Sequence, residues 1–420
     1  MIKAITGTKD ILPADISKWR YIETIVRATM EVYGYKEIRT PMFEETALFS
    51  RGIGEATDIV SKEMYTFLDR SETSITLKPE MTASVVRAFL EHSLGKQQNL
   101  NKLYYISPMF RQERPQAGRF RQFHQFGAEA LGSSKPVLDA EMIILAYDIL
   151  KELGLKDLTV KINSLGVPES RENYKKVLRE YLGDKLEQLS EDSKKRFETN
   201  ILRVLDSKDE RDIKIVENAP MLIEYLDDDS LEHFENVKQI LLSAGIPFEI
   251  DAKLVRGLDY YTHTTFEVVS GSVGSQSALL GGGRYDNLIE QLGGKPEPGV
   301  GFAAGIERIL LACETENSLN ISEEAHDIYL VRLDKELVNK TYELSLLFRR
   351  QGIKVELDYL ERSVKAQMRE ANKLQAKYVL FIGGEEFENN KLRLKNMETG
   401  EEEVIESDNI TRIINKIKNS

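Results

Sequence analysis

Residues Met109 to Gly132 read Met-Phe-Arg-Gln-Glu-Arg-Pro-Gln-Ala-Gly-Arg-Phe-Arg-Gln-Phe-His-Gln-Phe-Gly-Ala-Glu-Ala-Leu-Gly, and the fold of their surroundings turns on how this stretch pairs. The apolar runs Leu103–Phe110 and Phe120–Ala130 predict two strands. Pro115, Gln116, Ala117 and Gly118 between them predict a hairpin loop. Four arginines, Arg111, Arg114, Arg119 and Arg121, crowd the turn and its flanks. Strand residues alternate faces, so Arg111 and Glu113 share one face, and Arg121, Phe123, Gln125 and Gly127 share a face on the returning strand. An arginine fork donates paired hydrogen bonds to phosphate oxygens, and a neighbouring Phe offers a ring on which a base can stack. A solvated hairpin with surface salt bridges is the plain alternative. The interleaving of cations with aromatics and carboxylates favours a nucleotide-binding face.

Phe110-Arg-Gln-Glu113, a loop, and then Arg119-Phe-Arg-Gln-Phe-His-Gln125 resemble motif 2 of the class II aminoacyl-tRNA synthetases, in the wording of the bacterial histidyl-tRNA synthetase family. Further matches touch most of the first 325 residues, and the family's length and domain order fit the whole chain. The resemblance implies an α+β catalytic domain built on an antiparallel sheet over residues 1–325, with a helical insertion at about 169–246. A C-terminal α/β anticodon-binding domain over 326–420 would follow. It also implies ATP-dependent attachment of L-histidine to tRNA(His) through a histidyl-adenylate, with release of AMP and pyrophosphate.

Composition sets bounds on this. A chain of 420 residues exceeds one ordinary core, so two or three domains are expected. Hydrophobic residues at 41% and charged residues at 30% indicate a globular protein. No apolar run approaches ~20 residues and the opening lacks a signal-peptide pattern, so a cytoplasmic protein without membrane contact is expected. The single cysteine, Cys313, excludes an internal disulfide and a thiolate zinc cage, and the five histidines lack metal-ligand spacing. A protein-built metal site is therefore not expected. The net charge of −12 gives no support to RNA binding by itself. From His326 onward, 17 basic residues balance 17 acidic ones, so the whole deficit lies before it, and local basic faces decide what is bound.

In chain order, Thr6-Gly7-Thr8-Lys9-Asp10-Ile11-Leu12-Pro13 resembles the Gly-Thr-x-Asp-x-x-Pro opening of the family, with Thr6 where a basic residue is usual. Trp19, Ile22, Val26, Met30 and Tyr33 recur at helical spacing, and Gly34 stops that helix. Tyr35–Pro41 reads as a strand ended by proline. By resemblance it is motif 1, which implies a homodimer interface. Met64–Leu68 and Ser74–Leu77 form a hairpin, and Lys78-Pro79-Glu80-Met81-Thr82 leads into a helix through Phe89, with Pro79 near its start. Glu80 and Thr82 read equally as first-turn residues favourable to the helix dipole or, by resemblance, as partners of the histidine ammonium group.

Pro136–Leu153 reads as an amphipathic helix and Leu158–Ser164 as a strand. The charged stretch from Glu169 to about Ile246 carries two helical stripes, one through Tyr174, Val177, Leu178, Tyr181 and Leu182, the other through Leu231, Phe234, Val237 and Leu241. It reads either as a passive spacer or, by resemblance, as an insertion that clasps the acceptor stem. Phe248–Val255 then leads to Arg256-Gly-Leu-Asp-Tyr-Tyr261, the signature most particular to the family, and Thr264–Val269 reads as a strand.

Leu280-Gly-Gly-Gly-Arg-Tyr-Asp286 precedes Gly299-Val-Gly-Phe-Ala-Ala-Gly305-Ile-Glu-Arg308. The latter superficially resembles a dinucleotide fingerprint, but no βαβ unit surrounds it, so a nucleotide-binding oxidoreductase is set aside. It matches motif 3 instead. Beyond the polar linker Glu314–Glu324, strands at Asp327–Val331, Lys354–Leu357 and Tyr378–Ile382 alternate with helices to Gly352 and over Ser363–Gln375, implying a largely parallel sheet. Glu401-Glu-Glu403 reads as a solvated charge run.

By resemblance, Arg111, Arg256 and Arg308 are the catalytic residues, and Arg111, Glu113, Arg121, Phe123 and Arg308 bind ATP. Glu80, Thr82, Arg111, Gln125, Glu129, Arg256, Tyr260, Tyr261 and Tyr285 would bind histidine. Arg256 could otherwise pair with Asp259. Arg114 and Gln116 would meet the first base pair of the tRNA, and Mg2+ would ride on the ATP phosphates. The rival reading is a non-catalytic, histidine-sensing regulatory paralogue, disfavoured by the full arginine set and by the appended C-terminal domain.

Overall fold

In the computed structural model the hairpin of residues 101–131 is the centre of a sheet. The structure describes residues 2–419 except 55–56, 58, 117, 256–257, 259, 277 and 322–324. Ala117, Arg256 and Asp259 thus lie outside the described residues. The chain divides into two compact units, Met1–Ile321 and Ser322–Ser420.

Strands are numbered along the chain. In the first unit, β1 (Lys36–Glu37), β5 (Asn101–Phe110), β6 (Gln122–Leu131), β7 (Leu158–Ser164), β8 (Phe248–Ile250), β9 (Thr262–Ser270), β10 (Ala278–Arg284) and β11 (Gly299–Gly305) form one sheet, in the order β1-β5-β6-β11-β10-β9-β7-β8. Its interior pairs are all antiparallel, and a parallel strand closes each edge. A side sheet comprises β2 (Phe43–Glu45), β3 (Tyr65–Leu68) and β4 (Ser74–Leu77) in the order β2-β4-β3.

One face of the large sheet is sealed by helices. Pro13–Val32 buries Trp19, Ile22, Val26 and Met30, and Gly34 ends that segment at φ +77°, a conformation glycine adopts without steric cost. The strand expected over Tyr35–Pro41 shrinks to two paired residues, with Ile38 N–H to the Tyr104 carbonyl as the last bond to β5. Pro136–Glu152 packs beside Pro13–Val32 in the same core. The helix Asp228–Ser243 adds Phe234, Val237 and Leu241 to that core. The charged region read as one insertion is therefore divided. Residues 168–225 form short helices around Tyr174, Leu178, Leu182, Phe197 and Leu205, in a core shared with Tyr260, Tyr261 and Tyr285.

Under the sheet, Arg284 and Asp139 are both fully buried and ion-paired. Arg284 also donates to the Ser133 carbonyl and to Asp286 Oδ1, each at 3.0 Å, and His233 Nε2 lies 3.3 Å from Asp139 Oδ1. Removing one partner of such a pair strands the other charge in low dielectric. Asp139→Ala is therefore expected to cost about 3–5 kcal/mol, read as a lower urea midpoint for the first unit.

The second unit contains β12 (Ile328–Arg332), β13 (Val355–Leu357), β14 (Tyr378–Ile382), β15 (Lys391–Asn396) and β16 (Glu402–Glu406) in the order β13-β12-β14-β15-β16. The first three are parallel, as the alternation of strand and helix implies, and β15 and β16 add an antiparallel hairpin. Glu401–Glu403 is accordingly no free charge run. Glu402 sits 3.0 Å from Lys395, and Glu403 pairs with Arg412 and, at 2.6 Å, with Lys416.

Candidate active site

A cavity of about 220 Å³ opens over β6, β10 and β11. Its floor is glycine-rich for a steric reason. At Gly301 a Cβ would stand 1.8 Å from Glu129 Oε2, and at Gly127 one would stand 2.3 Å from the Phe302 carbonyl oxygen. Any side chain at Gly301 would displace the carboxylate that lies beneath the cavity.

One end of the cavity is cationic. Arg111, Arg119 and Arg308 line it together with Glu113, Phe123 and Glu267. Arg111 Nε donates to the Pro79 carbonyl at 2.8 Å, and its guanidinium carbon is 5.3 Å from the Phe123 ring centre. Glu113 sits 3.6 Å from Arg111 and 3.5 Å from Arg119. Arg308, delivered by the first turn of the helix Ile306–Thr315, donates to the Ala278 carbonyl at 3.0 Å. Burial lowers its pKa, Arg119 and Arg111 push it further down, and Glu113 opposes them. Three guanidinium groups at one end of a cavity repel one another, an arrangement that an incoming polyanion would relieve.

The other end is polar and lined mostly by buried residues. Glu80, Thr82, Gln125, Tyr260, Tyr261 and Tyr285 line it. The Glu80 carboxylate accepts from the backbone N–H groups of Thr82 at 2.7 Å and Ala83 at 2.9 Å, capping the helix, and Glu80 also lines the cavity. The helix starts at Thr82, so Pro79 lies upstream of it rather than in its first turn. Burial raises the Glu80 pKa, and the amides of Ala83 and Thr82 counter that rise.

Glu129 lies behind this wall, fully buried. It accepts from Thr82 Oγ1 at 2.7 Å and from the Tyr285 hydroxyl. Desolvation is the dominant influence and raises its pKa from 4.5 to about 8, the two hydroxyl donors acting against it and Glu80 adding to it. The folded state thus holds this proton up to about pH 8 while the unfolded chain releases it near 4.5. Between those values the folded state binds more protons, so this group's contribution to stability is present below pH 4.5 and is lost as pH rises through 8. Glu129→Gln is expected to remove a decline on the order of a few kcal/mol. Melting ligand-free protein at pH 5 and pH 8 should show a smaller drop in the variant than in the wild type.

The chain matches the family model described as Histidyl-tRNA synthetase over residues 7–309. The chain belongs to the histidyl-tRNA synthetase family. Residues 327–417 match the model described as Anticodon binding domain. A Histidine--tRNA ligase of Caldanaerobacter subterraneus subsp. tengcongensis is 51% identical over 415 residues, covering 99% of both chains. Apo S. aureus histidyl-tRNA synthetase superimposes with a TM-score of 0.83 at 42% identity, covering 99% of this chain and 100% of that one. A Bacillus halodurans structure titled ATP phosphoribosyltransferase regulatory subunit/histidyl-tRNA synthetase has a TM-score of 0.67 at 23% identity, over 92% of this chain and 99% of its own, a likeness of fold alone.

The cavity brings together Arg111, Glu113, Phe123 and Arg308 with Glu80, Thr82, Gln125, Tyr260, Tyr261 and Tyr285, and Glu129 reaches it through Thr82 and Tyr285. Arg256 lies outside the described residues. Arg121 is the correction. Beyond the pair Phe110–Gln122 one more bond runs from Arg111 N–H to the Arg121 carbonyl at 2.9 Å, but Arg121 N–H goes to the Gly7 carbonyl at 2.7 Å. Its side chain instead packs beside Gly7, and its Nε donates to the Glu113 carbonyl at 3.4 Å. Arg119 takes the inward place, turned there by the Gln116–Arg119 bridge. Its Nε is buried without a hydrogen-bond partner. Arg114 and Gln116 are exposed at the hairpin tip. Glu307 was also missed in the sequence. It accepts from the His124 backbone N–H at 2.9 Å, tying the helix that carries Arg308 to β6.

Proposed function

We propose that this protein activates L-histidine with ATP and transfers it to tRNA(His). The histidine carboxylate attacks the α-phosphorus of ATP and displaces pyrophosphate. A ribose hydroxyl of the terminal adenosine of the tRNA then attacks the activated carbonyl and displaces AMP. This chemistry needs alignment and charge stabilisation, with no covalent enzyme intermediate. The supporting observation is one cavity with an arginine cluster at one end and a hydroxyl-bonded, buried carboxylate at the other.

In this reading Arg111 flanks the α-phosphate, joined by Arg256 as the family resemblance implies, and Arg308 takes the γ-phosphate with Arg119 beside it. Phe123 stacks on adenine through the face that Arg111 leaves open, and Glu113 accepts from the base. Glu80 and Thr82 hold the ammonium group of histidine, while Gln125, Glu129, Tyr260, Tyr261 and Tyr285 surround its imidazole. Glu129 accepts from an imidazole N–H when ionised and donates when protonated, so the pair needs one shared proton.

Magnesium carried on the phosphates would supply further charge neutralisation as pyrophosphate departs. Among the described residues no three His, Cys, Asp or Glu side chains gather as a ligand set. Glu113 and Glu267 line the cationic end and are the carboxylates that would stand near such an ion.

Residues 1–325 act as the catalytic domain, the helical region within 169–246 faces the acceptor stem, and 326–420 bind the anticodon. Arg114 and Gln116 meet the first base pair. A homodimer forms through the motif 1 segment ending at Pro41, a placement supported by the exposed apolar residues Met42 and Phe43 that follow it. The protein works in the cytoplasm; no helix among the described residues is long and apolar enough to cross a membrane.

Labelled histidine, ATP and a tRNA(His) transcript test the reading. Acid-precipitable label that requires ATP supports it. Histidine binding with no charged tRNA would instead support a sensor.

A further inference from the structure

The histidine end of the cavity is fastened from outside the catalytic sheet. Leu165 N–H donates to the His263 carbonyl at 2.7 Å, and His263 N–H donates to the Gly166 carbonyl at 3.0 Å. Five residues beyond Gly166, Arg171 on the helix Pro168–Gly183 donates from Nη1 to the Tyr261 carbonyl at 2.6 Å. These three bonds clamp residues 261–263 where the backbone is strained, for His263 has φ +43°. Such a conformation persists when its surroundings over-determine it.

Arg171 itself does not line the cavity, whereas the Tyr261 side chain does. The Tyr261 carbonyl belongs to the peptide plane that joins Tyr261 to Thr262, the first residue of β9. Fixing that plane sets the Cα–Cβ direction of Tyr261 and therefore where its ring stands. A guanidinium donor makes this a charge-assisted bond, stronger and more directional than a neutral one. The helix that carries Arg171 is held in turn by Tyr174, Leu178 and Leu182, in the same core as Tyr260, Tyr261 and Tyr285. The clamp thus has a rigid base.

We propose that Arg171 is a positioning residue for histidine: acting through the Tyr261 carbonyl, it sets the ring of Tyr261 against the bound amino acid. The proposal rests on the histidine-activating reading given above. ATP affinity is outside its reach, because Arg111, Arg119 and Arg308 come from the hairpin and from the helix Ile306–Thr315.

The test is ATP–pyrophosphate exchange by the full chain, with histidine and ATP varied separately, for wild type, Arg171→Met and Arg171→Lys. Methionine keeps the apolar stem and removes the donors; lysine keeps a charged donor. Arg171→Met is expected to raise the KM for histidine about tenfold, the size of one lost charge-assisted hydrogen bond, with the KM for ATP unchanged. Arg171→Lys should recover most of that loss. An unchanged histidine KM in Arg171→Met overturns the proposal. So does a parallel rise in both KM values, or failure of Arg171→Met to fold, since either assigns Arg171 to the scaffold. Wild type without exchange would refute the activation reading itself, which separates the two failures.

Discussion

Arg111→Ala lowers histidine-dependent ATP–pyrophosphate exchange by roughly 10²–10³-fold, the loss expected when one preorganised donor to a developing phosphoryl charge is removed. The expectation follows from where Arg111 stands. It is anchored by the Pro79 carbonyl at 2.8 Å and lies against Phe123, so its fork is held before substrate arrives and needs no reorganisation as charge builds. Arg111→Lys should recover little, because a single ammonium cannot both hold the Pro79 carbonyl and reach a phosphate. The loss should fall on kcat more than on either KM, as befits an interaction that strengthens in the transition state. Single-turnover formation of the adenylate reads this directly, and a rate within a few-fold of wild type would remove Arg111 from the chemistry.

The second large effect is expected at Glu129. Glu129→Ala leaves the Thr82 and Tyr285 hydroxyls without the acceptor they now share and takes the carboxylate partner from the imidazole. A site built on hydrogen bonds loses its discrimination when those groups go unpaired, so kcat/KM for histidine should fall by about 10³-fold or more. Glu129→Gln separates charge from shape. Its amide cannot release a proton to match the imidazole, so histidine affinity should become pH-dependent between pH 6 and 8 in a way that tracks the imidazole alone, at about its ordinary pKa of ~6.5. Histidine titrations of both variants at several pH values check this. Equal affinity of wild type and Glu129→Ala would exclude Glu129 from recognition.

The parts of this site that could be read in the sequence are those that regular structure controls. Within β5 and β6, alternation placed Phe123 and Gln125 on one face because the ladder is continuous from the pair Asn101–Leu131 to the pair Phe110–Gln122. Beyond the last pair the Gly7 segment takes Arg121, and Arg119 lines the cavity in its place. Their order depends on the Gln116–Arg119 turn, which leaves no mark on hydrophobic periodicity. Glu129 was named in the sequence only through the family resemblance. That its partners are Thr82 and Tyr285, 47 and 156 residues away, is a property of packing. The buried Arg284–Asp139 pair has the same character, since each residue alone reads as an ordinary charged side chain.

The second unit shows the converse. Tyr378–Ile382 is fully buried and was legible as a continuous apolar run. The hairpin of β15 and β16 was hidden by its charges: Leu392, Leu394 and Ile405 are its buried residues, while Lys395 pairs with Glu402 across the ladder and Glu403 pairs with Lys416 of the helix Ile410–Lys418. A half-buried edge hairpin with ion pairs across its surface reads as polar sequence until its partner strand is known.

In the proposed function, one cavity joins a phosphate-binding arginine cluster to a pocket that selects histidine. ATP–pyrophosphate exchange run with each of the twenty amino acids in turn tests it most directly. Exchange that requires histidine and stays at background with the other nineteen is the expected result. Exchange driven equally by another amino acid, or proceeding with none added, would contradict it.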